Sequence, residues 1–269
     1  DYTLVPDPCY PPYKGGTIFA GGNVHCMPLL AQNKFLPDLK AVPADVLKKA
    51  KVIYINYPNN PTGAVADKDF YAGVVAFAKR NNLIVVSDLA YSEMAYDGYK
   101  PMSFLEIDGA RDVAIEFHSH SKTFNMTGWR VGWACGNKKL VAGLAKVKSN
   151  IDSGIFSAIQ ICAVAALDSD QTFVSRMCEL YQERRDILVD GLNSLGWNAS
   201  KPKATFYVWV KVPAKSSSID FSAMLLQKAD LVVTPGVGFG AAGEGYVRFA
   251  LTVPKDRVAV ALERLKKVL

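Results

Sequence analysis

"KVIYINYPNNPTGAVADKDFYAGVVAFAKRNNLIVVSD" (residues 51–88) decides the fold class. Its ends, KVIYINY (51–57) and LIVVSD (83–88), are nearly continuous apolar runs, as strands buried on both faces require. Between them Phe70, Val74, Phe77 and Ala78 recur at the spacing of one helical face. Strands alternating with a helix in this way argue an α/β domain with a largely parallel sheet. DVAIEF (112–117) and VGWACG (131–136) extend the series, and the opening DYTLVPD starts on an apparent strand. Residues 97–111 contain Gly, Pro and Asp and are predicted as a loop with a short helix.

The pattern changes after about residue 165. DQTFVSRMCELYQERRDILVDGLNSLG (170–196) is predicted as one long helix with a stripe of Phe173, Met177, Leu180, Ile187, Leu188, Leu192 and Leu195. ATFYVWVKV (204–212) alternates like a half-exposed strand. A helix over 220–229, short strands at 231–235 and 246–252, and a closing helix from Pro254 complete the chain. The expected architecture is a large α/β domain over residues 1–167 and a smaller α+β domain over 168–269.

Composition narrows the function. The 269 residues are 50% hydrophobic, enough for a sizeable core. A net charge of +6 is scattered, without the basic stripe and interleaved aromatics of a nucleic-acid surface. No apolar run approaches the ~18–20 residues of a membrane span, and no signal-peptide pattern appears. Cys9, Cys26, Cys135, Cys162 and Cys178 are odd in number and lack a CxxC pair, which fits free thiols in a reducing cytosol. His25, His118 and His120 form no ligand spacing with them, so no metal is expected.

Ligands of open parallel sheets bind beyond the carboxyl ends of the strands. The segments leaving those ends are PNNPTG (58–63), DLAY (88–91) and HSHSK (118–122). Asn60, Asp88, Tyr91, Ser119 and Lys122 are therefore expected on one edge. Taken singly, each has a plain reading: turn chemistry for NNPTG, a helix cap for Asp88, a half-buried aromatic for Tyr91, turn hydroxyls for the serines, and solvated or paired charges for Lys122 and Arg130. Taken together they form a coherent chemistry. A lysine that loses its proton forms a Schiff base with an aldehyde. A carboxylate facing a pyridine nitrogen keeps it protonated, so that the ring draws electrons. An amide and a phenol can bond a ring oxygen, and a serine and an arginine can hold a phosphate. This set describes a site for pyridoxal 5'-phosphate.

YPNNPTG, SDLAYSEMAYDG, HSHSKTFNMTGWRVG and YVRFALT are similar, in order and spacing, to the motifs of the class I and II aminotransferases, pyridoxal-phosphate enzymes of fold type I. The resemblance covers essentially the whole chain. KTFNMTGWRVGWACGNKKL and KVKSNIDSGIFSAIQ resemble most the branch acting on LL-diaminopimelate. It implies that Lys122 binds the cofactor and moves the substrate proton, Asp88 pairs with the ring nitrogen, and Asn60 and Tyr91 contact the ring oxygen. Tyr10 in DPCYPPY would stack on the ring, Ser119 and Arg130 would hold the phosphate, and Arg248 would grip the substrate carboxylate. His120 receives no role. The reaction implied is amino transfer from an amino acid, LL-diaminopimelate favoured and hence lysine biosynthesis, to a 2-oxo acid such as 2-oxoglutarate, in a cytoplasmic homodimer.

The residues leave alternatives open: an aspartate or alanine aminotransferase, a pyridoxal-phosphate lyase on the same fold, or a non-catalytic aminotransferase-like protein. The chain begins without Met. The family's N-terminal portion is expected to be missing, with its small-residue loop opening a helix at the cofactor phosphate and a tyrosine given to the neighbouring subunit. A helix start favours anions, so weaker cofactor binding is expected.

Overall fold

A computed structural model describes residues 1–213 and 216–268. Strand β1 (Tyr2–Asp7) leads through helix α1 (Pro12–Phe19) into β2 (Asn23–Pro28). The short α2 (Ala44–Leu47) precedes β3 (Ala50–Asn56). Next come α3 (Lys68–Asn81), β4 (Ile84–Asp88) and β5 (Ala114–Ser119). One helical turn, α4 (His120–Thr123), then leads to β6 (Gly132–Gly136). The six strands form one sheet in the order β2-β1-β3-β4-β5-β6. Every pairing is parallel except β5 with β6.

The crossover read from residues 51–88 is present. Asp67 caps α3, its carboxylate accepting from the Phe70 N–H at 2.9 Å. Asn82 ends α3 in the left-handed conformation. Val74, Phe77 and Ala78 face the core, joined by Tyr71 and Val75. Residues 97–111 hold two 3₁₀ turns rather than one helix, at Phe104–Glu106 and Ala110–Asp112. The return into β6 requires a glycine: a side chain at Gly132 would lie 2.6 Å from the His118 carbonyl.

Helices α5 (Lys138–Ile151) and α6 (Ser157–Asp168) lead into the long α7 (Thr172–Ser194). Strand β7 (Tyr207–Lys211), helix α8 (Ser218–Ala229), strands β8 (Thr234–Pro235) and β9 (Tyr246–Ala250), and helix α9 (Lys255–Leu265) complete the order. These strands form a second, antiparallel sheet in the order β7-β9-β8. Three predictions shift here. β7 is not half-exposed: Tyr207, Val208, Trp209 and Val210 are all buried, so both faces of the strand are covered. Only Thr234 and Pro235 of 231–235 pair as a strand. The buried side of α7 is Val174, Tyr181, Arg185, Leu188, Val189 and Leu192, while Phe173 and Leu180 are exposed. The true stripe includes an arginine, which a search for apolar residues skips. Arg185 is buried because Asp97 takes both its terminal nitrogens, at 2.6 and 3.1 Å.

Candidate active site

Parallel pairing brings the carboxyl ends of β3, β4 and β5 side by side: Asn56 lies opposite Asp88, and Asp88 opposite Phe117. The loops leaving these ends build the site. In PNNPTG the amides fold the loop onto the sheet. The Asn56 side chain donates to the Asp88 carbonyl at 2.9 Å and accepts from the Asn60 N–H at 2.9 Å. Asn59 accepts from the Thr62 N–H and hydroxyl at 3.0 and 2.6 Å. The turn chemistry and the placing of Asn60 are thus one construction.

Lys122 sits on α4, immediately after β5. Ser119 starts that turn, its hydroxyl oxygen accepting from the Ser121 N–H at 3.2 Å. His120 fastens it from behind, with Nε2 3.2 Å from the Ala163 carbonyl of α6. The Lys122 ammonium stands 5.5 Å over the Phe206 ring. Burial lowers its affinity for a proton, Arg130 and Arg248 lower it further, and Asp88 opposes them. The lysine is thereby moved toward the free amine that nucleophilic attack requires.

Asp88 does not cap a helix; its Oδ1 accepts from the Ala90 N–H at 3.2 Å within a turn. Its Oδ2 accepts from the Tyr13 hydroxyl at 2.5 Å. Burial pushes the carboxyl above its ordinary range, against the Tyr13 hydrogen bond, the Ala90 N–H and the charge of Lys122. Part of its surface still faces the cavity, so a cation arriving there would meet a carboxylate short of countercharge. Tyr13 is itself held by stacking on Tyr54, centroids 4.7 Å apart. Tyr10 meets Tyr13 edge-on at 5.8 Å and leaves its own ring 44% exposed.

Tyr91 is buried with its hydroxyl 3.5 Å from that of Tyr207. Arg248 on β9 lies between two rings, Tyr207 at 4.0 Å and Phe239 at 4.5 Å. One terminal nitrogen donates to Asn60 Oδ1 at 2.7 Å, so the second sheet is bonded to the loop after β3. Its buried Nε finds no partner among the described residues. Arg130, exposed and in the left-handed conformation, folds back so that Nη1 donates to the Thr127 carbonyl at 2.9 Å.

A cavity of about 590 Å³ brings together Tyr10, Asn60, Asp88, Tyr91, Ser119, Lys122 and Arg130. Arg248 stands behind Asn60 rather than in its wall. Sequence reasoning missed Tyr13, Ser121 and Tyr207, which also line it. Ser121 was legible as the second hydroxyl of HSHSK. Tyr13 was legible only as the tyrosine three places after Tyr10 in YPPY, and its bond to Asp88 spans 75 residues of chain. The donor set suits a flat ring with a basic nitrogen and an attached anion: a carboxylate, an amide, phenols, hydroxyls, a guanidinium and a lysine of lowered proton affinity line one cavity.

The chain belongs to the class I and II aminotransferases, whose family pattern matches residues 1–265. These enzymes depend on pyridoxal 5'-phosphate. The chain is similar to LL-diaminopimelate aminotransferase of Desulforudis audaxviator, 57% identical over 266 residues spanning 99% of this chain and 68% of the relative. It is similar also to that of Moorella thermoacetica, at 56% over 269 residues, or 100% of this chain and 69% of the relative. Among solved structures, substrate-bound BacF from Bacillus subtilis superposes with a TM-score of 0.96 at 41% identity, covering 99% of this chain and 68% of that one. A probable N-succinyldiaminopimelate aminotransferase from Thermus thermophilus superposes with a TM-score of 0.93 at 34% identity, covering 100% and 72%.

Proposed function

We propose that this chain carries the catalytic site of an aminotransferase whose amino donor is LL-diaminopimelate and whose acceptor is a 2-oxo acid such as 2-oxoglutarate, a step of lysine biosynthesis. The observation that carries the chemistry is the convergence of Lys122, with its proton affinity lowered, on the buried pair of Asp88 and Tyr13 in one cavity. The donor rests on the relatives of that name, between 51% and 57% identical over nearly the whole of this chain.

In this reading Asp88 pairs with the ring nitrogen of pyridoxal phosphate, and Asn60 and Tyr91 bond the ring oxygen. Tyr10 would cover the ring, Ser119, Ser121 and Arg130 would hold the phosphate, and Lys122 would be the residue to which the aldehyde attaches. Bound there, the cofactor supplies an electrophilic carbon for amino groups and a ring that draws electrons from the substrate Cα. Tyr13 keeps Asp88 ionised and fixed. Arg248, whose rigid guanidinium plane is held behind Asn60 by its bond to Oδ1, would receive the α-carboxylate as a fork. Lys122 Nζ would take the proton that leaves the substrate Cα and return it. A general base so placed contributes about 10²–10⁴-fold.

The same reading assigns residues 1–167 to the cofactor-binding domain and 168–269 to the smaller one; one apolar core lies wholly within the first, and a second joins residues of 168–269 to Tyr91, Met94 and Tyr96. It takes the protein as a homodimer, for which the exposed Val147, Ile151, Phe156, Ile161 and Val164 along α5 and α6 offer an apolar surface. It takes its place as the cytoplasm, consistent with five free thiols. Among the described residues no helix is long and apolar enough to cross a membrane.

The test is a panel of amino donors with 2-oxoglutarate and saturating pyridoxal phosphate. LL-diaminopimelate is expected to give the highest kcat/KM, with glutamate formed in equal amount. Aspartate, alanine or an aromatic donor ranking first would overturn the substrate; release of ammonia instead of glutamate would overturn the reaction.

A further inference from the structure

Strands β5 and β6 carry a second group of chemically capable side chains beside the cavity, whose lining includes His118. Side chains alternate along a strand, so on β5 Glu116 and His118 point away from Phe117 and the face that Asp88 shares. Antiparallel register sets Glu116 opposite Cys135 and His118 opposite Trp133. One carboxylate oxygen, one imidazole nitrogen and one sulfur therefore lie within 4.8 Å of one another. Glu116 is buried, while His118 and Cys135 are half-buried, so the group opens to solvent near the edge strand β6.

We propose that Glu116, His118 and Cys135 form a binding site for zinc or a similar borderline divalent cation. The donor set of one thiolate, one imidazole and one carboxylate is of the kind zinc takes in proteins. Tetrahedral arms of about 2.0–2.3 Å separate ligand atoms by roughly 3.3–3.6 Å. His118 Nε2 and Glu116 Oε1 already stand 3.1 Å apart. Cys135 Sγ lies within 4.8 Å of both.

The surroundings are built as those of a ligand set are. Ser103 Oγ donates to Glu116 Oε1 at 2.6 Å, and Ser87 Oγ and the Phe104 N–H donate to Oε2 at 3.0 and 2.9 Å. Such outer bonds orient a ligating carboxylate. The His118 ring is clamped flat on Trp133, centroids 3.9 Å apart and planes 5° from parallel. On binding, His118 would give up its contact with Glu116 Oε1 and take the metal through the Nε2 lone pair, any proton on that nitrogen passing to Nδ1 or to solvent. Cys135 gives one proton to solvent as its Sγ–metal bond forms, and Glu116 binds as the carboxylate. The fourth position is left to water. The sequence concealed this group because the spacing from His118 to Cys135 matches no metal motif; only strand pairing makes the two neighbours.

The experiment is titration of the chelator-treated chain with Zn²⁺ by calorimetry and with Co²⁺ by absorption. One equivalent is expected to bind, with a thiolate-to-cobalt charge-transfer band. Cys135→Ala is expected to lose the band, and Cys26→Ala, which removes an exposed thiol elsewhere, to keep it. Cys135→His, should the alanine variant fail to fold, is expected to bind one equivalent without the band. Ser103→Ala is expected to weaken binding by about 10–100-fold. No saturable equivalent, or a band that survives Cys135→Ala and disappears in Cys26→Ala, would overturn the proposal. Neither outcome depends on the chemistry at Lys122.

Discussion

The Tyr13 hydroxyl donates to Asp88 Oδ2 at 2.5 Å, joining α1 to the end of β4. This bond offsets part of the desolvation of a carboxylate that must stay charged to meet a ring nitrogen. Tyr13→Phe is expected to destabilise the chain by about 1.5–3 kcal/mol, the usual range for a hydrogen bond to a charged group. It removes an influence that lowers the Asp88 pKa, so the carboxyl rises further. Cofactor affinity is therefore expected to fall most at acidic pH and to recover as pH rises and Asp88 ionises. Equilibrium binding of pyridoxal phosphate across pH checks this; a deficit independent of pH would mean that Tyr13 acts only by packing.

Asp88 should also cost stability in the cofactor-free chain. Its folded pKa lies above the unfolded value because burial disfavours the charge. The folded state holds the proton longer, so stability is lost as pH rises from the unfolded value through the folded one. Asp88→Asn cannot ionise and keeps an acceptor for Tyr13. Thermal unfolding without cofactor is expected to show the variant gaining on wild type as pH rises from acid to neutral. Parallel curves would contradict the linkage.

These two effects mark how far sequence reasoning reached. The strands over 51–57, 83–88 and 112–117 were legible because burial leaves nearly unbroken apolar runs; 131–136 forms a strand too, but one with no buried residue over Gly132–Gly136. The loops after them were legible because a parallel sheet sends its functional groups to one edge. Tyr13 was not, since nothing local marks a tyrosine that bonds a carboxylate 75 residues away. The buried face of α7 was read in part: Leu188 and Leu192 are buried and Met177, Ile187 and Leu195 pack against the same core, while the paired Arg185 occupies a core position that a search for apolar residues skips. Arg248 was reached through a family motif, while its bond to Asn60 belongs to the tertiary structure.

Lys122 has its proton affinity lowered by burial first and by Arg130 next. Arg130→Gln removes a positive neighbour, so Lys122 is expected to titrate at higher pH. The rate of acylation of Lys122 in the cofactor-free chain, monitored by peptide mass across pH, reads this directly. The midpoint should move upward in the variant. An unchanged midpoint would show that the Arg130 charge is screened by solvent, as its exposure permits.

Arg248→Lys keeps the charge and loses the fork. Losing one charge-assisted hydrogen bond costs about 1.5–3 kcal/mol, equivalent to roughly a tenfold or greater loss. That loss is expected in kcat/KM for amino acids, carried mainly by KM. Simple amines, which lack the α-carboxylate, should react equally slowly with both proteins. Steady-state kinetics on the two substrate classes separates recognition of the carboxylate from a general disturbance of the site.

The central claim is that Lys122 is the residue to which the cofactor attaches. The direct measurement is to load the protein with pyridoxal phosphate, reduce with borohydride, digest, and locate the modified lysine by mass spectrometry. The adduct is expected on the peptide containing Lys122 and absent from Lys122→Ala. An adduct confined to another lysine, or one on the same peptide in the variant, would contradict the account.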